Sequence, residues 1–134
     1  MKVLVDTSVW SLALRRRAPA HPAVDELRRL VAHGRAAIVG PVRQELLSGI
    51  GDQAVFARLR DHLRAFPDEP ITSADYERAA DCFNLCRAKG IQGSNTDFLL
   101  CAVAERHRFP ILTTDDDFLK YGRVLPLRLH APQT

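Results

Sequence analysis

The chain carries little from which to build a soft-metal site or an activated side-chain nucleophile. Three of its 134 residues are cysteines, Cys82, Cys86 and Cys101, an odd number without C-x-x-C spacing. All three fall among apolar neighbours in helical patterns, as reduced core thiols do, and this usage points to a cytoplasmic protein. Cys82 and Cys86 share a helix face, yet no nearby histidine completes a metal set. The five histidines, His21, His33, His62, His107 and His130, are scattered without H-x-x-x-H spacing. Neither a histidine-bound metal nor a histidine general base is therefore expected. No apolar run approaches the roughly 20 residues of a membrane span, and Met1-Lys2 leads straight into an apolar strand with no room for a signal peptide. Internal repeats, low-complexity tracts and interdomain linkers are missing too. Together these absences predict a single domain over residues 1–134 with no membrane partner.

What remains is an ordinary globular composition, 46% apolar and 26% charged. A chain of this length buries about two-thirds of the surface its unfolded form exposes. Short apolar segments alternate with helical patterns. Lys2–Asp6, Ala36–Val39 and Pro110–Thr113 read as strands buried on both faces, Ile71 as a very short strand segment and Val124–Leu127 as a closing strand. Helices are predicted over Val9–Leu14, His21–His33, Pro41–Ser48, Gln53–Ala65, Thr72–Lys89, Thr96–His107 and Asp115–Tyr121. In the longest, Tyr76, Ala79, Ala80, Phe83 and Cys86 form the expected inward stripe. The helix after Thr96 is apolar on nearly all sides and should be buried. The alternation predicts a parallel-type α/β sandwich.

Four elements each deliver an acid to a strand end or a helix start. Asp6 closes the first strand, Glu45 lies one turn into the helix after the second, and Asp97 falls in the first turn of the buried helix beside Asn95. The third strand runs out into Asp115-Asp116-Asp117. In a parallel sheet covered on both faces those ends share one rim. Each acid alone has a local role: Asp6 and Asp115 as helix caps, Glu45 as a solvated residue, Asp97 as a complement to the helix dipole. Four on one rim exceed those roles, and a carboxylate at the end of so apolar a strand must be paired, protonated or metal-bound. Converged carboxylates repel unless a cation relieves them, and all-oxygen ligation selects Mg²⁺ or Mn²⁺ over zinc. With water as the natural nucleophile, the chemistry implied is phosphodiester hydrolysis, of RNA or DNA.

The net charge is +3, and setting aside the five acids Asp6, Glu45, Asp97, Asp115 and Asp117 leaves +8 on the rest of the chain. A basic surface around an acidic pocket suits a polyanion, and equally suits plain solubility. Arg15, Arg16, Arg17 and Arg43 are the candidates for phosphate contact. Trp10, one helical turn from Asp6, is expected inside rather than stacked on a base. Aspartyl-phosphate chemistry fits poorly. Ser8 interrupts the D-x-D of haloacid-dehalogenase-like phosphatases, and Gly49–Leu59 lacks the buried strand a receiver domain needs.

Val3-Leu4-Val5-Asp6-Thr7-Ser8-Val9-Trp10, the acid within Pro41–Leu46, Asp97 heading an apolar helix, and Ile111-Leu112-Thr113-Thr114-Asp115-Asp116-Asp117-Phe118 together resemble the PIN-domain family. More narrowly they resemble its VapC-type ribonuclease toxins of type II toxin–antitoxin (VapBC) systems. The resemblance implies a PIN-like three-layer α/β/α sandwich with a short, mainly parallel central sheet. It matches Asp6, Glu45, Asp97 and Asp115 to the acidic quartet, with Asp117 a frequent fifth member and Asp6, Asp97, Asp115 and Asp117 as metal ligands. Ser8 and Thr113 match supporting hydroxyls, and Asp116 would face solvent. The implied activity is a Mg²⁺- or Mn²⁺-dependent endoribonuclease acting on tRNA, rRNA or mRNA. The implied partners are a VapB-like antitoxin that blocks the acidic pocket and a second copy of the chain. Apolar faces around Val24–Val31 and Val55–Leu63 suit either contact. Two further readings are a non-cleaving PIN-like module that holds RNA or protein, and a DNA-directed nuclease of the same type.

Overall fold

The structure, a computed structural model, describes residues 1–15, 17, 18 and 20–132. Strand β1 (Val3–Val5) is aliphatic on both faces and can only be central, and all three of its residues have 0% exposure. It pairs in parallel with β2 (Ala36–Ala37) on one side and β3 (Ile111–Leu112) on the other, giving the order β2-β1-β3. Val3 pairs with Ala36 and Leu4 with Ala37, while on the far side Leu4 pairs with Ile111 and Val5 with Leu112. All three strands therefore point the same way, and their carboxyl ends form one rim.

Seven helices surround this sheet among the described residues: α1 (Thr7–Ala13), α2 (Pro22–Ala32), α3 (Gly40–Leu47), α4 (Gln53–Leu63), α5 (Ser73–Ala88), α6 (Asn95–His107) and α7 (Asp117–Tyr121). Helix α6 is the buried one, with Phe98 through Ala104 all inside. The free thiols of Cys82, Cys86 and Cys101 lie in the core, and burial pushes all three up from the ordinary range, as inert core groups.

Three expectations need correction. Val124–Leu127 is not a strand. Pro126 has no N–H to give a ladder, and the Leu125 N–H returns to the Tyr121 carbonyl at 2.8 Å. The chain pairs two residues later, in a single parallel bridge between Leu129 and Ile111. Ile71 likewise pairs with no strand among the described residues; Asp68, between Pro67 and Pro70, makes the bridge to Ile38 instead. On α5 the inward stripe is Asp75, Ala79, Cys82 and Cys86, leaving Ala80 exposed and Tyr76 57% exposed. The rotation is set by Asp75, whose carboxylate accepts from Arg106 of α6 at 2.7 and 2.9 Å and closes a capping box with Thr72.

A second buried acid, Glu26 of α2, accepts a two-pronged bond from Arg29 at 2.7 and 2.8 Å and meets the His130 ring. The Arg29 hydrogen bonds, helped by His130, hold its carboxyl at about 2 against an ordinary 4.5, despite burial. Because the folded state prefers the carboxylate, this contribution is complete above pH 4.5 and is lost as pH falls towards about 2. Glu26→Gln is expected to lower stability by about 2–3 kcal/mol at neutral pH. Urea unfolding of both proteins at pH 7 and pH 3 checks this: the gap between them should narrow at the lower pH.

Candidate active site

Asp6 leaves β1 at the N-cap position of α1, but its side chain caps nothing. It is 4% exposed, and two hydroxyls donate to its Oδ2: Ser8 Oγ and Thr113 Oγ1, each at 2.8 Å. Each hydroxyl also accepts a backbone N–H from the chain leaving β3. Thr114 N donates to Ser8 Oγ at 3.1 Å, and Asp115 N donates to Thr113 Oγ1 at 2.9 Å. The ends of β1 and β3 are thus stitched together around one carboxylate. The Asp115 Oδ1 in turn accepts from Asp117 N at 2.9 Å, at the start of α7.

Asp97 is the third residue of α6, its N–H capped by Ser94 Oγ at 3.1 Å. Its Oδ2 accepts from the Tyr121 hydroxyl at 2.7 Å. Burial raises the Asp97 carboxyl above the usual carboxylate range, and the negative charges of Asp6 and Asp115 raise it further, against the hydrogen bonds of Tyr121 and Ser94. The Tyr121 phenol is raised by burial first, then by Asp97, Asp117 and Asp115. Asp6, Asp97, Asp115 and Asp117 therefore share one electrostatic neighbourhood. Among the described residues the ion pair made to any of the four is an exposed one, Lys120 to Asp117 at 3.5 Å.

The other expected residues have different surroundings. Glu45 is exposed on α3 and makes no hydrogen bond or ion pair among the described residues. Arg43 is committed elsewhere. It donates to Asp68 at 3.0 Å, to the Leu63 carbonyl at 2.9 Å and to the Phe66 carbonyl, bracing α3 against the turn after α4. Its donors serve the fold rather than a phosphate. Arg15 and Arg17 are exposed beyond α1, and Arg16 lies outside the described residues. Asp116 and Asn95 are exposed. Trp10 is buried edge-on to Phe66, ring centroids 5.1 Å apart. It lines an apolar groove of about 370 Å³ with Leu14, Leu27, Val31 and Phe66. Two residues of the site escape a reading of the sequence: Tyr121, legible only as the position one helical turn after Asp117, and Gly93, which packs against it.

The donors facing this neighbourhood are all oxygens, the set a hard divalent cation takes. Among the described residues no three His, Cys, Asp or Glu side chains are already gathered to hold an ion. Mg²⁺ keeps several waters and needs one or two carboxylates plus substrate oxygens, so the donors fit it without a closed cage.

A parallel sheet with this rim belongs to a known class, and the PIN-domain family model matches residues 3–124. The chain is a member of the PIN-domain family. Relatives at 32% identity over 130 residues, covering 94% of this chain and 96% of theirs, are Ribonuclease VapC11 of Mycobacterium tuberculosis and VapC ribonuclease Mb1587 of Mycobacterium bovis. The fold is shared with FitAcB of Neisseria gonorrhoeae, at a TM-score of 0.77, 19% identity and 97% of both chains. It is shared too with VapBC2 of Rickettsia felis, solved on a promoter DNA fragment, at a TM-score of 0.78, 18% identity, and 97% of this chain and 98% of that one.

Thr113→Val removes one donor to Asp6 and the acceptor of the Asp115 N–H. The expected loss is about 1–3 kcal/mol, measured by urea unfolding beside Ser8→Ala.

Proposed function

We propose that this chain is a metal-dependent endoribonuclease and the toxin of a toxin–antitoxin pair. The observation that carries the reading is Asp97, a half-buried carboxyl raised by burial and further by Asp6 and Asp115, bonded to the Tyr121 hydroxyl and met by no cation among the described residues. Acids placed so compete for protons unless a hard cation joins them. Asp6, Asp97, Asp115 and Asp117 would hold Mg²⁺ or Mn²⁺. Such an ion, when bound, would lower the cost of deprotonating the attacking water and neutralise charge on the departing oxygen. The chain's own part is to hold the acids: Ser8 and Thr113 fix Asp6, and Tyr121 holds Asp97. Glu45 stays in this proposal on the family resemblance alone. Arg15 and Arg17, exposed beyond α1, are offered to substrate phosphates.

RNA as the substrate follows the relatives named as ribonucleases at 32% identity. An antitoxin partner follows them and the related complexes, one a toxin–antitoxin complex from Klebsiella pneumoniae with a TM-score of 0.64 and 20% identity. The groove at Trp10, Leu27 and Val31 suits an apolar segment of that partner. Among the described residues no helix is long and apolar enough to cross a membrane.

Asp6→Asn and Asp97→Asn should each reduce RNA cleavage in Mn²⁺ to the level seen without protein, with circular dichroism unchanged. A DNA strand of the same sequence should survive wild-type protein. Mn²⁺ at about 100 times its Kd should stabilise the wild type by about 2.7 kcal/mol, read as a rise in Tm that both variants lack. Cleavage by purified Asp6→Asn at the wild-type rate would defeat the proposal.

A further inference from the structure

Tyr121 closes α7 four residues after Asp117, so the two share a helix face. Its side chain is fully buried, packed against Phe98 with ring centroids 4.9 Å apart and edge-on to Phe118 at 5.2 Å. The hydroxyl, the one polar atom of that side chain, reaches 24 residues back along the chain to Asp97 Oδ2 at 2.7 Å. Gly93 leaves the room that the hydroxyl end of the ring occupies. A Cβ there would stand 2.4 Å from the Tyr121 hydroxyl oxygen, 2.7 Å from its Cζ and 2.8 Å from the Phe98 Cζ. Gly93 is not among the glycines with positive φ, so what this position requires is space, not backbone freedom. A side chain here would drive the phenol off Asp97.

We propose that Tyr121, seated by Gly93 and Phe98, is the positioning residue that sets the Asp97 carboxylate for a divalent cation. A phenol suits the task because it is neutral at physiological pH. It can orient a carboxylate by donating one hydrogen bond, yet adds no charge to compete with a metal. Glu26 and Asp75 show the contrast: both are met by arginine, and both carboxyls are lowered. Asp97 is met by a hydroxyl instead and keeps its pull on a cation. Partners that orient a metal ligand from behind are worth 10–100-fold in affinity. The inference rests on the acid-cluster reading above and is tested separately from it.

Tyr121→Phe keeps the ring and removes the hydrogen bond. Isothermal titration of wild type, Tyr121→Phe and Asp97→Asn with MnCl₂ gives the affinity, and circular dichroism the fold. Tyr121→Phe should fold, bind Mn²⁺ at least tenfold more weakly, and need correspondingly more Mn²⁺ for half-maximal RNA cleavage. Tyr121→p-aminophenylalanine, which restores a donor, should recover the affinity. A packing role alone would lower Tm and leave Mn²⁺ affinity and half-maximal Mn²⁺ unchanged; that result overturns the proposal, as does failure of Tyr121→Phe to fold. If wild type binds no Mn²⁺, or Asp97→Asn binds and cleaves like wild type, the acid-cluster reading itself fails. If Asp97→Asn loses both while Tyr121→Phe matches wild type, only the role of Tyr121 falls.

Discussion

A carboxylate at the end of an all-apolar strand is the constraint on which this molecule turns. Asp6 is nearly as buried as the valines before it, and an unsatisfied charge there would cost several kcal/mol. Two hydroxyls meet it, and each is itself fixed by a backbone N–H from the exit of β3. Satisfying Asp6 therefore also fixes how the chain leaves the sheet on the neighbouring strand. Asp115 falls on that exit, and the helix that follows carries Tyr121 to Asp97. One desolvated charge propagates through two strand ends and two helices.

The protein treats its inward acids in two different ways. Glu26 and Asp75 each receive a guanidinium, and their carboxyls are held below the usual range. They join elements: α2 to the C-terminal segment through His130, and α5 to α6 through Arg106. Among the described residues Asp6 and Asp97 receive hydroxyls only, although the chain has 19 lysines and arginines. Arginine neutralises; a hydroxyl orients and leaves the charge in place. The distribution of partners divides the inward acids into those met by a guanidinium, Glu26 and Asp75, and those met by hydroxyls, Asp6 and Asp97.

How much of this could be read from the chain follows from range. The strand Val3–Val5, the buried helix beginning near Asp97 and the acids Asp6, Asp97 and Asp115 are local patterns, and the structure has them where the periodicity put them. Features decided by tertiary approach were not legible. Tyr121 looks like one more apolar position of a short helix until α6 is laid beside it, and Gly93 looks like loop punctuation. Asp75 reads as a polar residue of a helix start, yet Arg106, 31 residues on, turns it inward and rotates α5 by one position. Arg43 beside Glu45 suggested a phosphate contact, but two backbone carbonyls and Asp68 take its donors.

The outer strands of the sheet are only two residues long, and each is overlaid on its open side by a single bridge, Asp68 beside Ile38 and Leu129 beside Ile111. Neither flank offers a free ladder of donors and acceptors on which a foreign strand could register. The route to cross-β polymers is blocked at both ends of the sheet by isolated backbone contacts, one of them beside a proline on the chain. Copies of this chain are thereby kept from adding to one another edge to edge.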